Sequence, residues 1–291
     1  MRTARRSESS NTGTARRSES SNTGTARRSE SSSMRRRLRS FAIEFWLPVL
    51  IVVLWWVGSA RADLVFYPPL AEILGRFQDL WLFDRFFTDV IPSLRNMLVG
   101  YALSCLVGVG LGVVVAQVRI ARHALEPLVH FLRSIPPVAL VPIAILVLGF
   151  GPEMKMTIIA FSAVFATLIA TLDGVRAADP VLAEVTRVYR VSGRDRLFKV
   201  ILPAAAPQIL SGLQVSLQIA FVVMITSEML ASTEGIGYLT ILAQQTFAIT
   251  DMWAGMLLLG ILGYLFNLLF TLAERRVLHW HIGMRSQAKT H

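Results

Sequence analysis

Six stretches of this chain are apolar over about 18 to 20 residues, the length a helix needs to cross a hydrocarbon core of about 30 Å, and no other feature constrains the fold as strongly. They fall at 41–60, 93–118, 128–149, 155–172, 208–230 and 252–272. Inside lipid a backbone amide must find its partner within its own segment or a closed barrel, so runs of this length are expected to be helices. Composition points the same way. With 54% of the 291 residues hydrophobic and 16% charged, and a mean hydropathy of +0.54, too few polar side chains remain to coat a soluble protein. The expected fold class is all-α: an integral membrane protein with six transmembrane helices and short cytoplasmic helices between them.

A formal charge of +10 could suggest nucleic acid, but the positive residues are clustered as membrane topology requires. Eleven arginines, Arg2 to Arg39, precede the first apolar run. The 173–207 loop carries Arg176, Arg187, Arg190, Arg194, Arg196 and Lys199, and the end of the chain carries Arg275, Arg276, Arg285 and Lys289. Segment 231–251 has no Lys or Arg. Both termini and the 173–207 loop are therefore expected to face the cytoplasm, with segment 61–92 outside. That exterior segment carries Arg61, Arg76 and Arg85, accompanied by Asp63, Glu72, Asp79, Asp84 and Asp89. The single cysteine, Cys105, lies within an apolar run and reads as a small buried thiol.

Residues 3–13 read TARRSESSNTG, residues 14–24 repeat them, and TARRSESS returns at 25–32. With nothing apolar larger than alanine, residues 1–33 cannot offset their ordering entropy and are expected to be a disordered low-complexity extension. Met34 reads as an alternative start, followed by a basic juxtamembrane segment at 34–40. The membrane-spanning body then runs over 41–285, and residues 286–291 form a tail.

Within the second span Gly100, Ser104, Gly108 and Gly112 recur every fourth residue, leaving one helix face almost bare for close approach of another helix of the same chain. Pro136, Pro137 and Pro142 are expected to break or kink the third span, because they remove amide donors.

The loop DGVRAADPVLAEVTRVYRVSGRDRLFKVILPAAAP, 173–207, is patterned. Asp179-Pro180 is a helix start. Leu182, Val185 and Tyr189 then recur at helical spacing opposite Glu184 and Arg187. Ser192 with Asp195 suggests a capping box for a second short helix leading through Leu197 and Phe198 to Leu202-Pro203.

This loop resembles the EAA motif of binding-protein-dependent ABC importer permeases, E-A-A-x3-G-x9-I-x-L-P. Glu184 stands at the glutamate position, Val200 at the isoleucine, and Leu202 and Pro203 follow in register; Val185 and Thr186 replace the alanines. Arg190 takes the place of the glycine, and Gly193 is the nearest glycine. The resemblance implies that a glycine ends the first helix; an Arg in the left-handed conformation would cost about 1–2 kcal/mol, so either the helix extends toward Gly193 or its end is reshaped. Arg133-Ser134-Ile135-Pro136-Pro137, Thr233-Glu234-Gly235-Ile236-Gly237-Tyr238 and Glu274-Arg275-Arg276 with Trp280 are similar to segments of the aliphatic sulfonate, taurine and nitrate branch. The resemblance implies two permease subunits, as a homodimer, in membrane lipid. Partner ATP-binding ABC subunits would carry ATP and magnesium, and an extracytoplasmic solute-binding protein would deliver solute. The 184–203 loop would then carry the ATPase contact.

Pathway candidates are the polar residues of span five: Gln214, Ser216, Gln218, Thr226, Ser227 and Glu228. Ser216 and Gln218 are two apart and lie on different faces, and Glu228 is balanced between a gate and a solvated helix end. Asn267 reads as an interhelical hydrogen-bonding group. An ion-gradient-driven transporter or channel is the alternative, with Glu44 and Glu228 as its intramembrane carboxylates, but both lie near span ends. No P-loop sequence occurs, and Lys155, Lys199 and Lys289 lack its glycines; no H-E-x-x-H occurs either. The chain is therefore expected to bind no cofactor of its own and to catalyse nothing.

Overall fold

The computed structural model describes residues 46–47, 49–59, 66–177, 185–186 and 188–279. The repeat extension, the basic segment 34–40, the helix start at Asp179-Pro180, Leu182, Glu184, Trp280 and the tail fall outside the described residues. The chain divides into two units, residues 1–64 and 65–291. In the first unit, helix α1 (Val49–Ser59) covers part of the first expected span and is apolar along its length.

Among the described residues of the second unit every regular element is a helix, joined by short turns. A short amphipathic helix α2 (Leu70–Phe77) leads through two π-helical stretches, Gln78–Asp84 and Phe86–Val90, into α3 (Ile91–Gln117). There follow α4 (Arg119–Arg133), α5 (Pro137–Leu148), α6 (Pro152–Arg176), α7 (Leu202–Ala231), α8 (Ile236–Gln245) and α9 (Ile249–Val277). Four helical runs, ending with α3, α6, α7 and α9, are long and apolar enough to cross a membrane. The bent pair α4 and α5 makes a fifth if counted as one span.

That pair is the expected break in the third span. Residues 124–133 and 137–148 meet at 92°, and the bend falls where Pro136 and Pro137 withhold consecutive amide donors. Pro142 lies inside α5. Just beyond, Gly149, at a φ of 76°, ends the helix in a conformation costly for any residue with a Cβ.

The core is α6, sandwiched between α3 and α7. The glycine face of α3 packs on it: a Cβ at Gly100 would meet Ile159 at 2.8 Å, at Gly108 Thr167 at 2.8 Å, and at Gly112 Thr171 at 2.7 Å. The small-residue face is thus spent within the chain. Met97, Met154, Ile159, Ala220 and Met224 fill the space beneath. A second cluster, Trp81, Val90, Ile236, Ala254 and Leu258, joins the start of α3 to α8 and α9. At one edge Arg76 of α2 holds Asp251 of α9 in a two-pronged ion pair, and Trp253 donates to the Phe66 carbonyl at 3.0 Å.

The second short helix expected in the loop is not separate. A turn at Gly193–Arg196 runs through a π-helical stretch, Leu197–Ile201, directly into α7, giving one helix of 39 residues. At 1.5 Å per residue it is about 58 Å long, nearly twice a hydrocarbon core, so its first part extends beyond the membrane. Continuity is physically possible because the π turn changes the bonding register just before Pro203, which has no amide to donate: Leu202 N–H reaches back five residues to Leu197.

Candidate functional site

Two constructions stand out, one at each end of α7. The first is the loop that leads into it. Val185, Thr186 and Val188 are helical, and Tyr189 N–H bonds the Val185 carbonyl at 3.0 Å. The helix ends at Arg190, which takes the left-handed conformation with a φ of 50°. Val191 N–H then reaches back to the Thr186 carbonyl at 3.0 Å. This is the six-to-one bond of a Schellman ending, with arginine where glycine is usual. The helix therefore does not run on to Gly193; its end is retained and Arg190 bears the strain.

Ser192 opens the next turn as its cap. Its hydroxyl accepts from Asp195 N–H at 3.1 Å and donates to the Asp195 carboxylate at 2.8 Å, while Lys199 pairs with the same carboxylate at 2.7 Å. Val185 and Gly193 are exposed, Tyr189 is 78% exposed and Phe198 59%, whereas Thr186 is buried. Val200, Leu202 and Pro203 are half-buried. A hydrogen-bonded scaffold thus presents apolar side chains outward, an arrangement suited to a partner surface.

The second construction lies at the far end of α7 and is built from residues distant in sequence. Glu228 is 0% exposed and Asp89 2%. Each accepts a backbone amide of the α7–α8 turn: Gly235 N–H to Asp89 Oδ1 at 2.8 Å and Gly237 N–H to Glu228 Oε2 at 3.0 Å. Between them Ser93 accepts from Ile236 N–H at 3.3 Å and donates to Glu228 Oε1 at 2.6 Å. Thr88 donates to the other Asp89 oxygen at 2.8 Å. Lys155, 5% exposed, donates to Ser232 at 2.7 Å, and Ser232 donates to the Glu234 carbonyl. Buried polar groups are tolerable when partnered in this way.

The glycines are required by this packing. Gly235 has a φ of 109°, and a Cβ there would lie 2.6 Å from the Glu228 carboxyl carbon. At Gly237 it would lie 2.5 Å from the Ile225 carbonyl oxygen.

Glu228 is therefore not the solvated helix end weighed from the sequence: α7 continues past it to Ala231, and its carboxylate caps the turn beyond. Ser216 is fully enclosed, donating to the Ala163 carbonyl at 2.9 Å and lying 3.4 Å from the Ser104 hydroxyl. Ser227 is enclosed too and bonds back to the Met224 carbonyl. Thr226 bonds to the Val222 carbonyl within its own helix. Gln214 donates to Asn267 at 2.9 Å, tying α7 to α9, and Gln218 is exposed. The six candidates are thus not brought together. Sequence reading missed Asp89, Ser93, Lys155 and Ser232 as partners; the spacing of Asp89 and Ser93, four apart, was the one local signal available.

A helical bundle with four spans, or five if the bent pair counts as one, and an apolar, scaffolded loop projecting from one of them defines a polytopic membrane protein. The chain belongs to the family of binding-protein-dependent transport system inner membrane components, whose model matches residues 108–279. It is the permease subunit of an ABC importer in the inner membrane and not itself an enzyme, and it works with an ATP-binding subunit and a substrate-binding protein. It is 31% identical over 236 residues to a chain named as an aliphatic sulfonates transport permease, SsuC, of Bacillus subtilis (strain 168), covering 80% of this chain and 86% of that one. The bicarbonate transport system permease CmpB of Synechococcus elongatus (strain PCC 7942) is 32% identical over 78% of this chain and 86% of its own. The taurine transport system permease TauC of Escherichia coli (strain K12) is 27% identical over 81% and 88% respectively. Among solved structures, an inward-facing MetNI methionine ABC transporter chain superposes with a TM-score of 0.57 at 19% identity, over 66% of this chain and 93% of that one, a likeness of fold.

Proposed function

We propose that two copies of this chain form the translocation pathway of an importer for a small oxyanion or sulfonate, and that each copy is driven through residues 182–203. The observation that carries the coupling role is the scaffold at Arg190 and Ser192. Bonded at both helix ends and running without a break into α7, it can transmit a displacement that a loose loop would absorb. Leu182, Glu184, Val185, Tyr189 and Val200 contact the ATPase, Glu184 pairing with a basic or amide group in its groove. Thr186, Arg190, Gly193, Leu202 and Pro203 hold the shape. ATP and magnesium are bound by the partner, and both termini face the cytoplasm on the strength of the arginine-rich loops.

The solute class rests on relatives named for aliphatic sulfonates, taurine and bicarbonate, which share a compact oxygen-rich group. Gln214, Gln218 and Thr226, the span-five candidates not fully enclosed in one copy, are the ones left to line a pathway between copies.

The test is reconstitution with the partner ATPase and binding protein in vesicles. Uptake is expected to require ATP and to survive collapse of ion gradients. Uptake abolished by that collapse would favour a gradient-driven transporter. Charge reversal at Glu184 together with truncation of Leu182, Val185 and Tyr189 is expected to abolish both assembly and uptake.

A further inference from the structure

A cavity of about 460 Å³ opens between α3, α4 and α6, away from both constructions at the ends of α7. Its walls are apolar for most of their length, with Leu111 of α3, Val129 of α4 and Phe161, Phe165 and Leu172 of α6 among them. Glu126, Asp173 and Arg176 are its charged lining residues, grouped at one end. A small hydrophilic solute would find almost nothing there to replace its water, so the cavity does not suit the transported oxyanion.

We infer that this cavity holds one acyl chain of a bilayer phospholipid, with the lipid headgroup at the charged end formed by Glu126, Asp173 and Arg176. Three observations carry it. The first is depth: from Phe161 to Leu172 α6 rises about 16 Å, the thickness of one leaflet of a core about 30 Å across. The lining turns charged at Asp173, where a headgroup would begin. The second is size, since the cavity falls in the range of roughly 300–1,000 Å³ typical of sites for small organic ligands. The third is the state of the guanidinium. Arg176 Nη1 lies 4.0 Å from Glu126 Oε1 and 3.8 Å from Asp173 Oδ1, longer than the roughly 2.7–2.9 Å of a charged hydrogen bond. With two carboxylates around one guanidinium, this end suits the paired ammonium and phosphate of a zwitterionic headgroup and not a lone anion. α4, amphipathic and bent away from α5, forms the wall beside which the chain enters.

The test uses the full chain, extracted from vesicles of phosphatidylethanolamine and phosphatidylglycerol and examined by native mass spectrometry. One phospholipid is expected to stay with each chain. Leu111→Trp fills the cavity and is expected to lower retention at least about tenfold, since losing the burial of two methylenes at about 0.8 kcal/mol each suffices. Leu106→Trp, on an exposed position of α3 outside the cavity, is expected to leave retention unchanged. Should Leu111→Trp not fold, Val107→Phe, also in the lining, replaces it. Absence of phospholipid from the wild-type chain overturns the inference, as does equal retention in the filled variant. Loss of a second copy on filling, with retention unchanged, overturns it too and makes the cavity a subunit seat.

Discussion

Ser93 Oγ lies 2.6 Å from Glu228 Oε1 across 135 residues of sequence, and this bond joins the start of α3 to the end of α7. With Asp89, the pair accepts three consecutive backbone amides, Gly235 to Gly237. The turn into α8 is therefore anchored by side chains from two other elements.

Removing that anchor is expected to be costly. Glu228→Ala leaves Gly237 N–H without its partner in a buried place, a loss of about 1–3 kcal/mol, while the Ser93 hydroxyl can still donate to the Asp89 carbonyl 2.9 Å away. Glu228→Gln keeps an acceptor and is expected to lose less. Thermal unfolding of the purified protein in detergent should order the variants wild type, Gln, Ala; an Ala variant melting with the wild type would contradict the anchoring role.

Glycine substitutions should divide by what a Cβ meets. Gly237→Ala is expected to destabilise strongly, because the Ile225 carbonyl oxygen at 2.5 Å is backbone and cannot swing aside. Gly110→Ala, in α3 with nothing within 4 Å, is expected to be neutral or to stabilise by about 0.5–1 kcal/mol through helix propensity. Comparing the two melting temperatures checks both signs; parallel behaviour would refute the packing described here.

At Arg190 the strain is local and removable. Arg190→Gly is expected to relieve about 1–2 kcal/mol of left-handed penalty and to slow hydrogen exchange at Val191 N–H, whose partner is the Thr186 carbonyl. Arg190→Val should do the reverse. Faster exchange in the glycine variant would mean that the arginine side chain holds the turn.

Ser192→Ala removes the cap of the turn that runs into α7, a loss of about 1 kcal/mol. Exchange at Asp195 N–H is expected to accelerate while α7 beyond Pro207 keeps its protection. Protection lost along all of α7 would show that the cap governs the whole helix and not its first turn.

Much of this protein could be read in order along the chain. The apolar runs placed the spans beginning at 93, 155, 208 and 252, because a membrane demands length and hydropathy that few other folds need. Pro136 and Pro137 marked the break before α5, and the spacing of Gly100, Ser104, Gly108 and Gly112 marked the face that meets α6; Ser192 and Asp195 marked a cap. Each is a property of one segment, carried by residues within a turn or two of one another. Only the tertiary structure decided that Glu228 is enclosed and not solvated, that Ser216 bonds the Ala163 carbonyl, and that the helix after Ser192 does not stop before Pro203. Helical periodicity says which residues share a face and nothing about which neighbour covers it. Asp89 and Gly235, 146 residues apart, meet because α3 and α7 pack on α6, a relation no local pattern encodes.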